Sequence, residues 1–219
     1  MKSSRADRSV TAESGKKKRI AALTDGIYAI VMTILVLSID IPKFPQETAA
    51  VQLPSYLRFK LWPEISKYVL AFITLAAFWI GHVQQYHHIK KIDSRLLWMN
   101  VFSLMLIALI PFTTAVAGDY ATVGVADRIF ELNLLIAGLM YYFHWSYATH
   151  NHRLVFSDLD PQHIARTKKA MLIIPILSLA ALAISFLQPA WSTSVYILIP
   201  FLYHRDTIKE KLIGSKSDD

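Results

Sequence analysis

The sequence predicts an all-α membrane protein with six transmembrane helices. Three observations carry this prediction. Long apolar runs recur along the chain, the composition is too apolar for a soluble domain, and the basic residues concentrate on one side of the alternating connections. Of 219 residues, 54% are hydrophobic and 18% charged, against roughly 45–50% and a quarter in soluble domains. That length is one or at most two domains, and disorder and collagen are excluded. With no Cys, there is no thiolate metal site, Cys nucleophile or disulfide.

The first run, Ile20 to Ile39, is broken only by Thr24, Asp25, Thr33 and Ser38. About 20 residues at 1.5 Å each cross a ~30 Å hydrocarbon core. Lys16-Lys17-Lys18-Arg19 precedes it, but the run is too long for a signal peptide and has no small-residue cleavage site. Further runs are predicted at 65–86, 96–117, 125–147, 170–187 and 190–204. Within 101–116 only Ser103, Thr113 and Thr114 are polar, and within 170–187 only Ser178 and Ser185. Soluble helices would keep a charged face there. The short fifth run and the sixth are separated by Gln188-Pro189 and read as a hairpin. Pro175 and Pro200 fall inside helices, which membrane helices tolerate. The connection from Pro42 to Pro63 holds four prolines, and its middle, Tyr56 to Trp62, is predicted to lie on the membrane surface. The connection from Thr149 to Lys169 reads as a polar loop.

The net charge of +7 first suggests an acidic partner such as nucleic acid. Position removes that reading. Only Lys43, Arg58, Lys60, Lys67 and Arg128 of the 23 basic residues fall on one side of the alternating segments. The other 18 fall on the side of the N-terminus, so the positive-inside rule puts both termini in the cytoplasm. The expected organisation is a basic cytoplasmic tail at 1–18, a membrane domain at 19–205 and a cytoplasmic tail at 206–219. Juxtamembrane clusters such as Lys16 to Arg19 meet anionic lipid more often than nucleic acid.

Asp25 lies about two turns into the first helix, where an ionisable group is costly. Topology puts Arg19, Asp25, His82 and Asn100 at one depth, so a structural polar cluster and direct ion contact are both open readings. On a wheel of 100° per residue, Gly26, Ile30, Thr33, Ile34 and Leu37 form a stripe centred roughly 130° from Asp25. Such a stripe serves helix packing or lipid contact, or lines a pore that gates by dewetting. The carboxylate is expected to face helices of its own bundle.

The run from Arg19 through Leu23-Thr24-Asp25 to Ala29-Ile30 and Thr33-Ile34-Leu35 resembles the signature of the transmembrane protein 175 family. Leu23 and Thr24 stand where that family has Phe and Ser. The resemblance continues in Trp79-Ile80-Gly81-His82, Asn100, Ile110-Pro111-Phe112-Thr113, Gly118-Asp119-Tyr120 and Asn133. It covers about 19–150, and the last two helices only in pattern. It implies a potassium-permeable channel of the single-repeat prokaryotic kind, in the cytoplasmic membrane, assembled as a homotetramer around the first helix. The resemblance further implies a constriction at Ile30, with Ile34 and Leu37 further outward, and a selectivity hydroxyl at Thr33. It maps a structural polar network to Arg19, Thr24, Asp25, Trp79, His82 and Asn100. No cofactor and no enzymatic activity are implied. The partners are identical subunits, lipid and K⁺ or other monovalent cations.

Two rival classes are considered. A secondary, proton-coupled transporter would show inverted repeats or broken helices at the midplane, and Asp25 is the one carboxylate this reading places clearly inside a span. A haem-binding redox protein would need axial His near each leaflet, yet all eight His fall toward the cytoplasmic side. Thr122-Val123-Gly124 imitates the start of a potassium filter, but no re-entrant helix precedes it.

Overall fold

The computed structural model describes residues 2–39, 42–120 and 123–203. The expected tail at 206–219 lies outside these residues, as do Thr122 and His204. The helices are α1 (Lys2–Ile34), α2 (Gln46–Tyr56), α3 (Trp62–His88), α4 (Ser94–Ala108), α5 (Ile110–Asp119), α6 (Gly124–Thr149), α7 (Pro161–Met171), α8 (Ile173–Ser185) and α9 (Pro189–Ser192). No strand occurs among the described residues.

Among the described residues, four helical stretches are long and apolar enough to cross a membrane: Gly15–Ser38, Gln46–His88, Ser94–Asp119 and Pro161–Ser185. A shorter apolar helix spans Thr193–Tyr203. α6 occupies the fourth predicted position. Its 26 residues reach about 39 Å, but Asp127, Glu131, Asn133 and His144 interrupt its apolar character. All four are buried. α6 is a central helix whose polar groups turn inward.

Several boundaries differ from the prediction, each for a local reason. α1 begins at Lys2 and runs without a break across the expected 18/19 boundary, then tightens to a 3-10 turn at Leu35–Ser38. The proline-rich connection is helical: Pro45 caps α2, Pro54 lies inside it, and Pro63 sits in the first turn of α3. Pro45, just before α2, costs no helical hydrogen bond, because the first N–H groups of a helix have no partner within it. A π-helical turn at Leu57–Leu61 joins α2 to α3. The third run divides at Leu109, two residues before Pro111, into α4 and α5. The polar loop contains α7, capped by Asp160 through Gln162 N at 3.0 Å, and only Leu172 separates it from α8. The fifth helix is thereby longer than its apolar run.

α6 packs against α8, α4 and α5. Close approach to α8 needs Gly138, since a Cβ there would lie 2.7 Å from the ring of Pro175. One apolar core joins Tyr28, Val31 and Leu35 of α1 to Leu75 and Phe78 of α3, Leu134 and Tyr141 of α6, and Leu177 of α8. A second surrounds the fully buried Trp145, with Ile20, Tyr86, Ile89, Leu96 and Leu154. An antiparallel bridge between Ile89 and Val155 closes this end.

Candidate functional site

α1 divides its circumference between two stripes. Ile20, Thr24, Tyr28, Val31 and Leu35 are buried, at the 3–4 spacing of a packed helix face. Gly26, Ile30, Thr33, Ile34 and Leu37 are exposed, with Ile30 at 58% and Leu37 at 76%. The two stripes are centred roughly 130° apart on the wheel, with Asp25 on a flank between them. Nothing lies within 4 Å of a Cβ built on Gly26. Thr33 Oγ1 donates to the Ile30 carbonyl at 2.8 Å, so its hydroxyl proton is engaged and its lone pairs remain free on the open side.

Five of the six predicted network residues come together, in two groups. Asn100 Nδ2 donates to Thr24 Oγ1 at 3.4 Å, leaving Asn100 Oδ1 to accept from His82 Nε2 at 3.2 Å. This assignment makes the Nε2–H tautomer the one present. All three residues are buried, so the chain links α1, α3 and α4 without water. The second group is Trp79 Nε1 donating to Asp25 Oδ1 at 3.0 Å. Both of these side chains are exposed. Asp25 therefore reaches α3 from the flank of α1 and does not enter the core, as its wheel position requires. Arg19 is exposed and joins neither group among the described residues.

The basic cluster also has a local role. Lys17 Nζ donates to the Ile89 carbonyl at 2.7 Å, and Lys16 Nζ to that of Ile92 at 3.1 Å. The Ile89 carbonyl lies just past the C-terminus of α3, where cations are favourable, and the Ile92 carbonyl lies in the link to α4. Val123 stands at the N-cap of α6 and Gly124 opens it as a helical residue, so this part of the filter-like stretch is a helix start.

The reading of Asp25 as the one carboxylate inside a span needs correction. Glu64, Asp127 and Glu131 are all buried, and Lys67 Nζ pairs with Asp127 Oδ1 at 2.8 Å. The Lys67 ammonium also donates to the Ala117 carbonyl. The sequence signal was the i, i+4 placement of Asp127 and Glu131 on one face of an otherwise apolar helix.

Apolar helices of spanning length around an inward-facing polar core define a polytopic helical membrane protein, with one helix face left open on α1. The family described as endosomal/lysosomal potassium channel TMEM175 matches residues 19–111. A potassium channel of Chamaesiphon minutus is 27% identical over 87% of this chain and 95% of its own. One of Streptomyces collinus is 29% identical over 68% of this chain and 70% of its own. The crystal structure of a lysosomal potassium-selective channel TMEM175 homolog from Chamaesiphon minutus superposes with a TM-score of 0.76. It is 26% identical and covers 88% of this chain and 98% of that one. The chain is thus similar to the TMEM175 family over residues 19–111, and to these bacterial potassium channels over two thirds or more of its length.

Proposed function

We propose that this chain is one subunit of a homotetrameric potassium-permeable cation channel in the cytoplasmic membrane of a prokaryote. Each subunit contributes six spans, with α6 and the Thr193–Tyr203 helix as the fourth and sixth and both termini in the cytoplasm. Residues 19–205 form the channel domain, between a basic cytoplasmic segment at 1–18 and a tail at 206–219. Relatives named as potassium channels support K⁺ permeation.

The observation that carries the pore reading is the open face of α1. Four copies brought together on that face surround an axis with rings of Ile30, Thr33, Ile34 and Leu37. Ile30, whose side chain stands 58% exposed in the single chain, is the constriction. A ring of branched aliphatic groups excludes water when narrow and conducts when wetted. Thr33, with its proton held by the Ile30 carbonyl at 2.8 Å, offers oxygen lone pairs to a partly dehydrated cation. The Thr24–Asn100–His82 chain and the Asp25–Trp79 pair are structural and hold α1 in its rotation about the axis.

The test is flux through purified protein in liposomes, with K⁺ measured against Na⁺. K⁺ flux that rises in Ile30→Asn supports the reading. Absence of flux in both proteins, or equal flux in the two, overturns it.

A further inference from the structure

Two residues on the buried stripe of α1 carry polar groups, Thr24 and Tyr28. Thr24 is tied to Asn100. Tyr28, one turn further on, is 1% exposed, and its hydroxyl hydrogen-bonds to that of Tyr141 on α6. Beyond Tyr28 the stripe continues with Val31 and Leu35, which hold by apolar packing alone. The Tyr28–Tyr141 pair is therefore the last polar tie along this stripe. At 100° per residue, Tyr28 and Ile30 stand about 200° apart, so Tyr28 lies almost directly behind the exposed Ile30. A tie there acts along the line from the core to the Ile30 side chain. The Asp25–Trp79 bond, on the flank of the helix, resists rotation instead.

Tyr141 is itself held from several sides. Its ring lies 5.1 Å from that of Phe78 and stands edge-on to His82 at 6.2 Å. Gln85 of α3 fixes its backbone: Gln85 Nε2 donates to the Tyr141 carbonyl at 3.2 Å. Gln85 Oε1 is then the acceptor for His144 Nδ1 at 2.9 Å, which puts the His144 proton on Nδ1. Gln85, Tyr141 and His144 are all buried. His82 also ends the Thr24–Asn100–His82 chain, so both polar ties on α1 meet in one place between α3 and α6.

We propose that Tyr28 and Tyr141 are positioning residues for the constriction. Their hydroxyl pair sets how far α1 stands from the core of its own bundle, and so how closely Ile30 approaches the pore axis. The inference rests on the reading of Ile30 as the constriction. A hydrogen bond is directional and short in range, whereas apolar attraction is non-directional. The hydroxyl pair therefore fixes a distance that Val31 and Leu35 alone leave loose. Gln85 and His144 hold the Tyr141 end of the tie against α3. With the tie cut, α1 gains freedom toward and away from the axis, and the Ile30 ring wets more often.

The experiment measures K⁺ flux per reconstituted protein in liposomes, with the melting temperature beside it. It compares wild type with Tyr28→Phe/Tyr141→Phe, each with Ile30 intact and in the Ile30→Asn background. The double variant loses both hydroxyls together and keeps both rings, so its melting temperature should stay near wild type. Its K⁺ flux should rise severalfold. In the Ile30→Asn background the same pair of substitutions should change flux little, because the ring they position is already wetted. Such non-additivity is the mark of action through Ile30, whereas a general loosening of the fold would raise flux equally in both backgrounds. Unchanged or lower flux in a double variant of normal stability overturns the positioning role, as does an equal rise in the two backgrounds. Absence of K⁺ flux from wild type and variants alike overturns the channel reading, and this inference with it. Should the double variant fail to fold, Tyr141→Phe alone takes its place and is judged by the same outcomes.

Discussion

Trp79 Nε1 donates to Asp25 Oδ1 across 3.0 Å, tying α3 to the flank of α1 between its buried and open faces. The bond fixes the rotation of α1 about its own axis, and with it the direction of the Ile30–Leu37 stripe. Trp79→Phe keeps an aromatic ring and removes the donor. The expected cost is about 1 kcal/mol, the net worth of one exposed hydrogen bond, seen as a lower melting temperature in detergent. Asp25→Asn keeps an acceptor oxygen and loses the charge, so it should reduce assembly, read by cross-linking, more than it alters ion selectivity in surviving channels. Normal assembly with altered selectivity would make Asp25 an ion-contacting residue.

Ile30→Asn replaces the branched aliphatic ring of the proposed constriction with amides. The expected outcome is a severalfold rise in K⁺ leak from liposomes, because a wetted ring no longer opposes ion entry. Ile30→Val keeps the ring apolar and should conduct close to wild type. Equal leak in Ile30→Asn and wild type would move the constriction away from Ile30.

Thr33 separates hydroxyl chemistry from pore width. Its Oγ1 donates to the Ile30 carbonyl at 2.8 Å, so Thr33→Ala removes an oxygen from the proposed pore surface. Thr33→Ser retains that oxygen. Under opposing K⁺ and Na⁺ gradients, the reversal potential should shift in Thr33→Ala and stay near wild type in Thr33→Ser. An unaltered potential in Thr33→Ala would remove Thr33 from selectivity.

How much was legible follows from the range of each signal. The open stripe of α1 and the depth shared by His82 and Asn100 are periodicity and topology, and both can be read along the chain. Thr24 entered the network only through the family resemblance, and its bond to Asn100, 76 residues away, became visible only in three dimensions. Lys67 and Asp127 are 60 residues apart and share no local motif, so their bond became visible only in three dimensions. Glu131 was hidden because an apolar count averages it with its neighbours, although its placement four residues after Asp127 marked a common face. The connection from Pro42 to Pro63 was read as a connecting segment with four prolines, not as a helix. Pro45 stands at a helix start, where proline is tolerated, and Pro63 follows the π-helical turn at Leu57–Leu61.

Gly138 should tolerate no side chain. A Cβ there meets the Pro175 ring at 2.7 Å, and a ring locked into α8 cannot swing away. Gly138→Ala must separate α6 from α8. The cost expected for such overpacking is about 1–3 kcal/mol, measured as a lower denaturation midpoint in detergent. The reversal potential of the protein that folds should be unchanged, because neither residue lies on the α1 stripe. A melting temperature equal to wild type would show that the α6–α8 contact yields more easily than its geometry implies.

Asp93 gives a pH dependence at the end of the bundle near Trp145. Its Oδ1 accepts from Leu96 N at 2.8 Å and caps α4, and its Oδ2 accepts from the Tyr147 hydroxyl at 2.6 Å. Burial alone would raise its carboxyl. The Tyr147 hydroxyl and the Leu96 amide outweigh it, with Arg153 and Arg95 adding to them, so the group lies below its usual range. A carboxyl depressed on folding contributes stability that is present above the unfolded value of about 3.9 and lost as pH falls through the lower folded one. Tyr147→Phe removes one of the two hydrogen bonds. Its acid unfolding midpoint should move to higher pH, with a smaller change in stability at neutral pH than Asp93→Ala, which also loses the cap at about 1 kcal/mol. Asp93→Asn keeps the cap and should flatten the acid limb of the stability curve. An acid limb unchanged in all three variants would assign the acid sensitivity to other carboxylates.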